Sequence, residues 1–355
     1  MSELEIIRST HKKQKPEDDQ LVFGTQFTDH MFIMDYTPER GWHYPRITPY
    51  EPIALEPAST VFHYGQMVFE GLKAYRTKED KILLFRPEKN FQRLNRSSER
   101  LGIPAIDEEK ALLYLEELLR IDREWVPSLD GTALYIRPFI IATDPNLTPK
   151  PSNTYKFMII LSPVGSYYEE GIHPVGIYVE EQFTRAVKGG TGMAKTAGNY
   201  SAAYKAQEKA VNKGQSQVLW LDAVEKKYIE EVGSMNVFFK IDGEVITPEL
   251  SGSILEGVTR MTTIELLKKW DIPVTERKIS IDEIAKAYQE GKLEEAFGTG
   301  TAAVISPIGE LLWNDQKMVI NDRITGPIAS KLYEKLTGIQ TGVEEDQYNW
   351  TIEVI

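Results

Sequence analysis

Chemistry in this chain starts from one lysine. Lys195 lies in the stretch 185–200, RAVKGGTGMAKTAGNY, among Gly189, Gly190, Gly192, Ala194, Ala197 and Gly198. Small residues let backbone come close to something bulky. A lysine in a tight, water-poor site loses part of the stabilisation of its charge, so its amine can act as a nucleophile. The chemistry this suggests is a Schiff base with a carbonyl group. Taken alone, the stretch reads more readily as a surface lysine in a flexible glycine-rich loop.

Three further segments change that balance. EEVGSMN (230–236) puts a carboxylate at a strand end, suited to face a protonated ring nitrogen. SGSILEGVTR (251–260) brings Gly257, Val258 and Thr259 to a helix entry, where free N–H groups and the helix dipole favour a phosphate. GTGTAA (298–303) can offer backbone N–H and hydroxyl donors to an anion. Singly, these read as an exposed acidic pair, an ordinary capped helix and a plain turn. Together they call for a cofactor with a carbonyl, a basic ring nitrogen and a phosphate. Pyridoxal 5′-phosphate carries all three.

The elements that must position these groups follow from periodicity. Residues 21–85 read as β-rich, with strand-like runs in LVFGTQFTDHMFIMDY and KILLF. A helix follows in FQRLNRSSERLGI, and Asp107 can cap a second, which runs at helical period to Trp125 before Pro127. TALYIRPFIIA and TYKFMIILS return as buried strands. The stretch 162–176, with three glycines and two prolines, reads as an interdomain linker. In the second half, SAAYKAQEKAVNKG reads as a helix, and QVLWL, KKYIEEV, NVFFKI and EVITP as strands. Asp242–Gly243 signals a two-residue hairpin. VTRMTTIELLKKW reads as an amphipathic helix, and SIDEIAKAYQEG as another with Ser280 or Asp282 as its cap. EAFGTGTAAVISP reads as a strand interrupted by a turn, and IASKLYEKLTG as a last helix closed by Gly338. Strands in groups with helices between them argue for two α+β domains rather than a doubly wound sheet.

Composition narrows the function classes. With 355 residues, 41% hydrophobic, the chain suits two domains or one large one. A net charge of -12 and no basic run argue against binding a nucleic-acid backbone. No apolar run reaches membrane-spanning length, and the polar start MSELEIIRSTHKKQKPEDDQ lacks a charged-then-apolar leader. The absence of cysteine excludes disulfides and thiolate chemistry and fits a cytoplasmic protein. His11, His30, His43, His63 and His173 are scattered without a metal-binding spacing. Nucleotide-binding glycine motifs and a G-x-S-x-G elbow are missing as well.

In kind, order and spacing, GTGMAKTAGNY, EEVGSMNVFF, ITPELSGSILEGVTR and FGTGTAAVISP resemble the successive motifs of fold-type IV pyridoxal-phosphate enzymes. Within that group the chain is similar to the branched-chain aminotransferases. FGTQFTDHMF, HYGQMVFEGLKAY, FRPEKNFQRL, LYIRPFIIA and the closing GIQTGVEEDQYNWTIEV are similar to that family's segments too. The resemblance runs from about Leu21 to the end. It implies an α+β enzyme of the D-amino-acid aminotransferase-like fold. A small N-terminal α+β domain (1–165), a linker (166–178) and a larger β-rich cofactor-binding domain with helices (179–355) are expected.

The resemblance also implies roles. Lys195 would be the Schiff-base lysine and proton shuttle, and Glu231, rather than Glu230, the partner of the pyridine nitrogen. Tyr200 would bond the ring hydroxyl. Arg93 would hold the phosphate with the amides of Val258 and Thr259 and with Thr301. Phe23, Tyr64, Phe69 and Tyr135 would form the apolar substrate pocket, with Arg137 at its edge for a glutamate side chain. The amides of Thr301 and Ala302 would bind the substrate carboxylate. Ser234 stands where many members have threonine and still offers a hydroxyl. Tyr167 would help close the site, and Leu147 would reach the partner's pocket in a homodimer. Ala303 and Ser306 replace the Cys-x-x-Cys of mammalian members, so thiol-based redox control is not expected. The implied reaction moves the amino group of leucine, isoleucine or valine to 2-oxoglutarate. D-amino-acid aminotransferase and aminodeoxychorismate lyase share the cofactor residues and stand as neighbouring readings. A non-enzymatic protein that binds pyridoxal phosphate is a remoter one.

Overall fold

A computed structural model describes residues 3–166 and 172–355 of the chain. The first part forms strands β1 (Glu5–Ile6), β2 (His30–Thr37) and β3 (Gly41–Pro49), then helix α1 (Thr60–Tyr64). Strands β4 (Met67–Phe69), β5 (Leu72–Arg76) and β6 (Ile82–Phe85) precede helices α2 (Pro87–Arg100) and α3 (Glu108–Ile121). Two long strands, β7 (Ala133–Ala142) and β8 (Tyr155–Val164), follow.

The second part opens with β9 (Val175–Glu180), α4 (Ala197–Ser201) and α5 (Tyr204–Asn212). Next come β10 (Gln217–Leu221), β11 (Ile229–Val232), β12 (Asn236–Ile241) and β13 (Glu244–Thr247). The chain continues through α6 (Val258–Lys269), β14 (Val274–Glu276), α7 (Ile281–Gln289), β15 (Leu293–Gly300) and β16 (Val304–Trp313). It ends in β17 (Gln316–Val319), α8 (Pro327–Thr341) and β18 (Thr351–Glu353).

Contacts divide the chain into two compact units, one of residues 1–167, 194–197 and 338–355, the other of 168–193 and 198–337. The sequence-based division assigns the C-terminal residues to the second half. In the structure β18 pairs antiparallel with β6, in the sheet of the first unit. That sheet has the order β1-β3-β2-β8-β7-β5-β6-β18, with β4 also on β7. One of its faces is covered by helices: Phe91 and Leu94 of α2 and Leu115, Leu118 and Leu119 of α3 join Phe32, Leu134, Ile136 and Phe157 in one core. Strand alternation then turns Tyr135 and Arg137 of β7 to the opposite face.

The sheet of the second unit runs β11-β10-β9-β16-β15-β12-β13-β14, with β17 on β16. It is apolar on both faces, which explains the unbroken run QVLWL. Ile281, Ile284 and Ala287 of α7 pack with Leu219, Phe239 and Ala296 on one side. Ala206 and Ala210 of α5 pack with Tyr178, Val218 and Trp220 on the other. The expected hairpin forms between β12 and β13, with Asp242 and Gly243 both at positive φ.

Several boundaries differ from expectation. Residues 21–29 contribute no strand, and α1 had no sequence signal. Helix α3 ends at Ile121, after which residues 123–125 form a separate 3-10 turn. Asp107 does cap α3, accepting from Lys110 N, and Ser280 rather than Asp282 caps α7. Helix α6 is buried on most sides, so it is not the one-faced amphipathic helix that was expected. Helix α8 passes through Gly338 to Thr341, and Gly342 follows it with φ of 72°. Gly338 is needed within the helix because a Cβ there would lie 2.9 Å from Glu344 Cγ. No helix among the described residues is long and apolar enough to cross a membrane.

Candidate active site

Lys195 is grouped with the first unit and does not lie on a strand. It follows a run of turns and precedes α4. Its backbone is fixed on both sides: Lys195 N donates to Ser97 Oγ at 2.9 Å, and Phe69 N donates to Lys195 O at 3.0 Å. The neighbouring Thr196 bridges to Val68, and its hydroxyl donates to Met67 O at 2.6 Å. These bonds seat the lysine against β4. Its Nζ lies 4.9 Å from the centre of the Phe69 ring.

Phe69 also carries the guanidinium of Arg137, 4.7 Å from its ring centre. Arg137 Nη2 donates to Tyr135 Oη at 3.1 Å, and the Tyr135 ring meets Phe23 edge-on at 4.9 Å. Phe23, Phe69, Tyr135, Arg137 and Lys195 therefore form one connected set. Arg137 Nε is buried with no hydrogen-bond partner among the described residues, a donor suited to a carboxylate. Gly71 makes room for this set, since a Cβ there would sit 2.1 Å from Tyr135 Oη. Tyr64 and Leu147 form a second, more exposed pair, with the Tyr64 hydroxyl donating to Leu147 O.

Arg93, the expected phosphate ligand, is buried and held by a residue that the sequence did not single out. Its Nε and Nη2 donate to the two oxygens of Glu70 at 2.7 and 2.9 Å. Asn90 Nδ2 donates to the same carboxylate at 2.8 Å. Burial pushes the Glu70 carboxyl upward, but Arg93 and the charge of Lys195 more than reverse this and hold it below its usual range. Two Arg93 donors are thus committed within the protein. The only local hint was an acid set into the otherwise apolar MVFEGL.

In the second unit Glu231 is buried on β11. Its Oε2 lies 2.9 Å from Arg185 Nε. Its Oε1 accepts from Leu255 N at 2.9 Å and Asn236 Nδ2 at 3.3 Å. Arg185 and Asn236 were not singled out as site residues, although Arg185 opens the lysine stretch. Glu230, next on the strand, points to the other face and accepts from the Ser253 hydroxyl.

Asn236 has a second duty. Its Nδ2 also donates to Leu255 O, and its Oδ1 occupies the space where a Cβ of Gly257 would be. Gly257 is the N-cap of α6 and contributes no side-chain cap. The first amides of the helix, at Val258 and Thr259, have no acceptor within it, the arrangement that receives a phosphate. Thr301 and Ala302 lie in the turn joining β15 to β16. Tyr200 is half-buried in α4, and Ser234 is exposed in the turn between β11 and β12. Tyr167 lies outside the described residues.

The donor set fits pyridoxal phosphate in kind. There is a backbone-fixed lysine amine, a buried carboxylate and a helix N-terminus with no side-chain cap. The family model described as amino-transferase class IV matches residues 67–311. Branched-chain-amino-acid aminotransferase 2 of Bacillus subtilis (strain 168) is 63% identical over 99% of this chain and 97% of its own length. A crystal structure of branched-chain aminotransferase from Thermoproteus uzoniensis with norvaline aligns with a TM-score of 0.77 at 27% identity, covering 92% of this chain and all of that one. The crystal structure of another branched-chain amino acid aminotransferase, with pyridoxamine 5′-phosphate, aligns with a TM-score of 0.75 at 27% identity, over 93% of this chain and all of that one. Match and geometry lead to one conclusion: the chain belongs to the class IV aminotransferase family.

Proposed function

We propose that this chain is a branched-chain-amino-acid aminotransferase that uses pyridoxal 5′-phosphate. It moves the amino group of L-leucine, L-isoleucine or L-valine to 2-oxoglutarate, reversibly. The observation that carries this reading is the set around Phe69, whose aromatic ring carries both the lysine amine and a guanidinium. Such a pocket suits two unlike substrates. Phe23, Phe69, Tyr135 and Tyr64 would take an aliphatic side chain, and Arg137 would take the second carboxylate of glutamate. The B. subtilis relative's name and the pyridoxamine phosphate in the second aligned crystal structure support the same reading.

When bound, pyridoxal phosphate supplies a carbonyl for an amine and a ring that accepts the electron pair released at the amino acid's Cα. This chain's residues do the rest. Lys195 Nζ takes the proton from Cα as general base and later returns one as acid. Glu231, held by Arg185, Leu255 N and Asn236, accepts a proton-bearing ring nitrogen and balances its charge. The amides of Val258 and Thr259, with Arg93 and Thr301, orient a phosphate, and Tyr200 a ring hydroxyl. Thr301 and Ala302 hold the substrate's α-carboxylate, while Ser234 and Tyr167 complete the site.

The reading includes a homodimer in which Leu147 enters the partner's pocket. Leu147 is 61% exposed and Tyr64 46%, apolar surface that a second chain would cover. A substrate screen tests the function. Glutamate should form from 2-oxoglutarate with L-leucine, L-isoleucine and L-valine, in a ping-pong pattern. Activity confined to D-alanine or aminodeoxychorismate, or cofactor binding without any transamination, would overturn the reading.

A further inference from the structure

The second unit holds a cavity of about 240 Å3 that none of the roles above uses. Its walls include Val187, Ile229, Pro248 and Ile254, with Tyr228 beside them. Glu230 also lines it, and only 6% of that residue is exposed. Glu230 Oε1 accepts from the Ser253 hydroxyl, which is 2.9 Å from the Ser251 hydroxyl. Its Oε2 is buried with no hydrogen-bond partner among the described residues. A buried acceptor without a donor costs the desolvation that a partner would recover.

Positive charge stands on the same walls. Lys188 and Lys278 line the cavity, are not buried, and make no ion pair among the described residues. Lys278 Nζ instead lies 4.9 Å from the Tyr228 ring centre. Asp222, a further lining residue, is not open to a ligand in the same way. Its two oxygens already accept from the amides of Val224, Glu225, Lys227 and Tyr228. The cavity therefore offers one unfilled buried acceptor, the ammonium groups of Lys188 and Lys278, the exposed carboxylates of Glu225 and Glu249, and an aliphatic lining.

We propose that this cavity is a second ligand site, for an α-amino acid with an aliphatic side chain. The ligand's ammonium donates to Glu230 Oε2, its carboxylate lies against Lys188 and Lys278, and its side chain packs on Val187, Pro248 and Ile254. Burial pushes the Glu230 carboxyl upward, and the charge of Glu231 adds to this, against Ser253 and Arg185. A ligand ammonium would supply the charge partner that burial calls for. The site does not depend on the aminotransferase reading, because it uses neither Lys195 nor Glu231.

The test is equilibrium dialysis of L-leucine with the full chain after treatment with sodium borohydride, which stops amino exchange at any lysine-linked carbonyl. One saturable L-leucine per chain is expected that survives Lys195→Ala. Glu230→Ala and the double change Lys188→Ala with Lys278→Ala should each weaken it about tenfold or more, the scale of a lost charged hydrogen bond. 4-Methylvalerate, which lacks the amine, and 3-methylbutylamine, which lacks the carboxylate, should bind more weakly than L-leucine. The lysine changes are at solvent-facing positions, so they report even where Glu230→Ala fails to fold. No saturable binding, or binding that only Lys195→Ala removes, would overturn the proposal.

Discussion

Arg185 Nε and Glu231 Oε2 form a buried ion pair at 2.9 Å, in which the arginine at the head of the lysine stretch holds the carboxylate expected to face the cofactor ring. Arg185 Nη2 also donates to Ser253 O, so one side chain ties the strand to the loop that precedes α6. Removing one partner of a buried pair leaves the other charge uncompensated. Arg185→Ala should therefore lower unfolding free energy by about 3–5 kcal/mol in urea titration. Arg185→Lys should recover only part of this, because an ammonium lacks the guanidinium fork. An unchanged midpoint in Arg185→Ala would show that the pair is not a stabilising element.

The Glu70–Arg93 pair predicts an acid sensitivity. Burial opposes the Glu70 charge, but Arg93, with Lys195 and Asn90, holds the carboxyl below 4.5 in the folded state. A depressed carboxyl contributes stability that is present above the unfolded value and is lost as pH falls through the folded one. Thermal stability of the parent chain should therefore fall as pH drops below 4.5, the ordinary glutamate value. Glu70→Gln should be less stable at neutral pH by about 3–5 kcal/mol, since Arg93 keeps its charge without a carboxylate. It should also lose the Glu70 share of the acid dependence. A parallel pH profile in the two proteins would contradict this assignment.

Glu230 has the opposite sign. Its carboxyl is raised above 4.5, so the unfolded chain releases this proton first. Stability then falls as pH rises from 4.5 through the folded-state value. Glu230→Gln should gain on the parent over that interval, with the difference level above it. Paired urea titrations from about pH 4 upward, in roughly one-unit steps, would read the gain. A constant difference across the interval would mean that Glu230 does not titrate there.

A close approach elsewhere in the lysine stretch gives a backbone prediction. A Cβ on Gly192 would lie 2.1 Å from Ser253 O and 2.6 Å from Ala186 Cβ. Neither neighbour is the end of a flexible side chain. Gly192→Ala should cost about 1–3 kcal/mol, the scale of overpacking in a filled interior. Gly189→Ala is the contrast for space alone, since nothing lies within 4 Å of its Cβ, although its φ of 82° adds backbone strain. Heat denaturation of the two variants separates crowding from strain.

Much of the candidate site was legible because it is local in sequence. Lys195, Glu231 and the Gly257–Thr259 segment each sit beside a break in periodicity that marks a turn or a helix start. Partners separated by long stretches were not legible. Nothing in the spacing of Glu70 and Arg93, or of Arg185 and Glu231, shows that they meet, because sheet register and loop path decide it. The glycines of the lysine stretch were expected to let backbone come close to something bulky. At Gly192 the close neighbour is the Ser253 backbone, and Lys195 is not in a strand. Gly338 misled for a related reason: a glycine can end a helix or admit a neighbour within one, and Glu344 decides which. The pairing of β18 with β6 joins chain segments far apart in sequence, and no local pattern announces such a contact.

The central claim is that Lys195 is the amine that carries the cofactor in a branched-chain aminotransferase. The most direct measurement is the visible absorption spectrum of the purified chain with pyridoxal phosphate, titrated with L-leucine and then with 2-oxoglutarate. The account predicts a lysine-linked band that L-leucine abolishes and 2-oxoglutarate restores, and that is missing from Lys195→Ala. A band that L-leucine leaves unchanged, or a Lys195→Ala protein that keeps both the band and normal turnover, would contradict it.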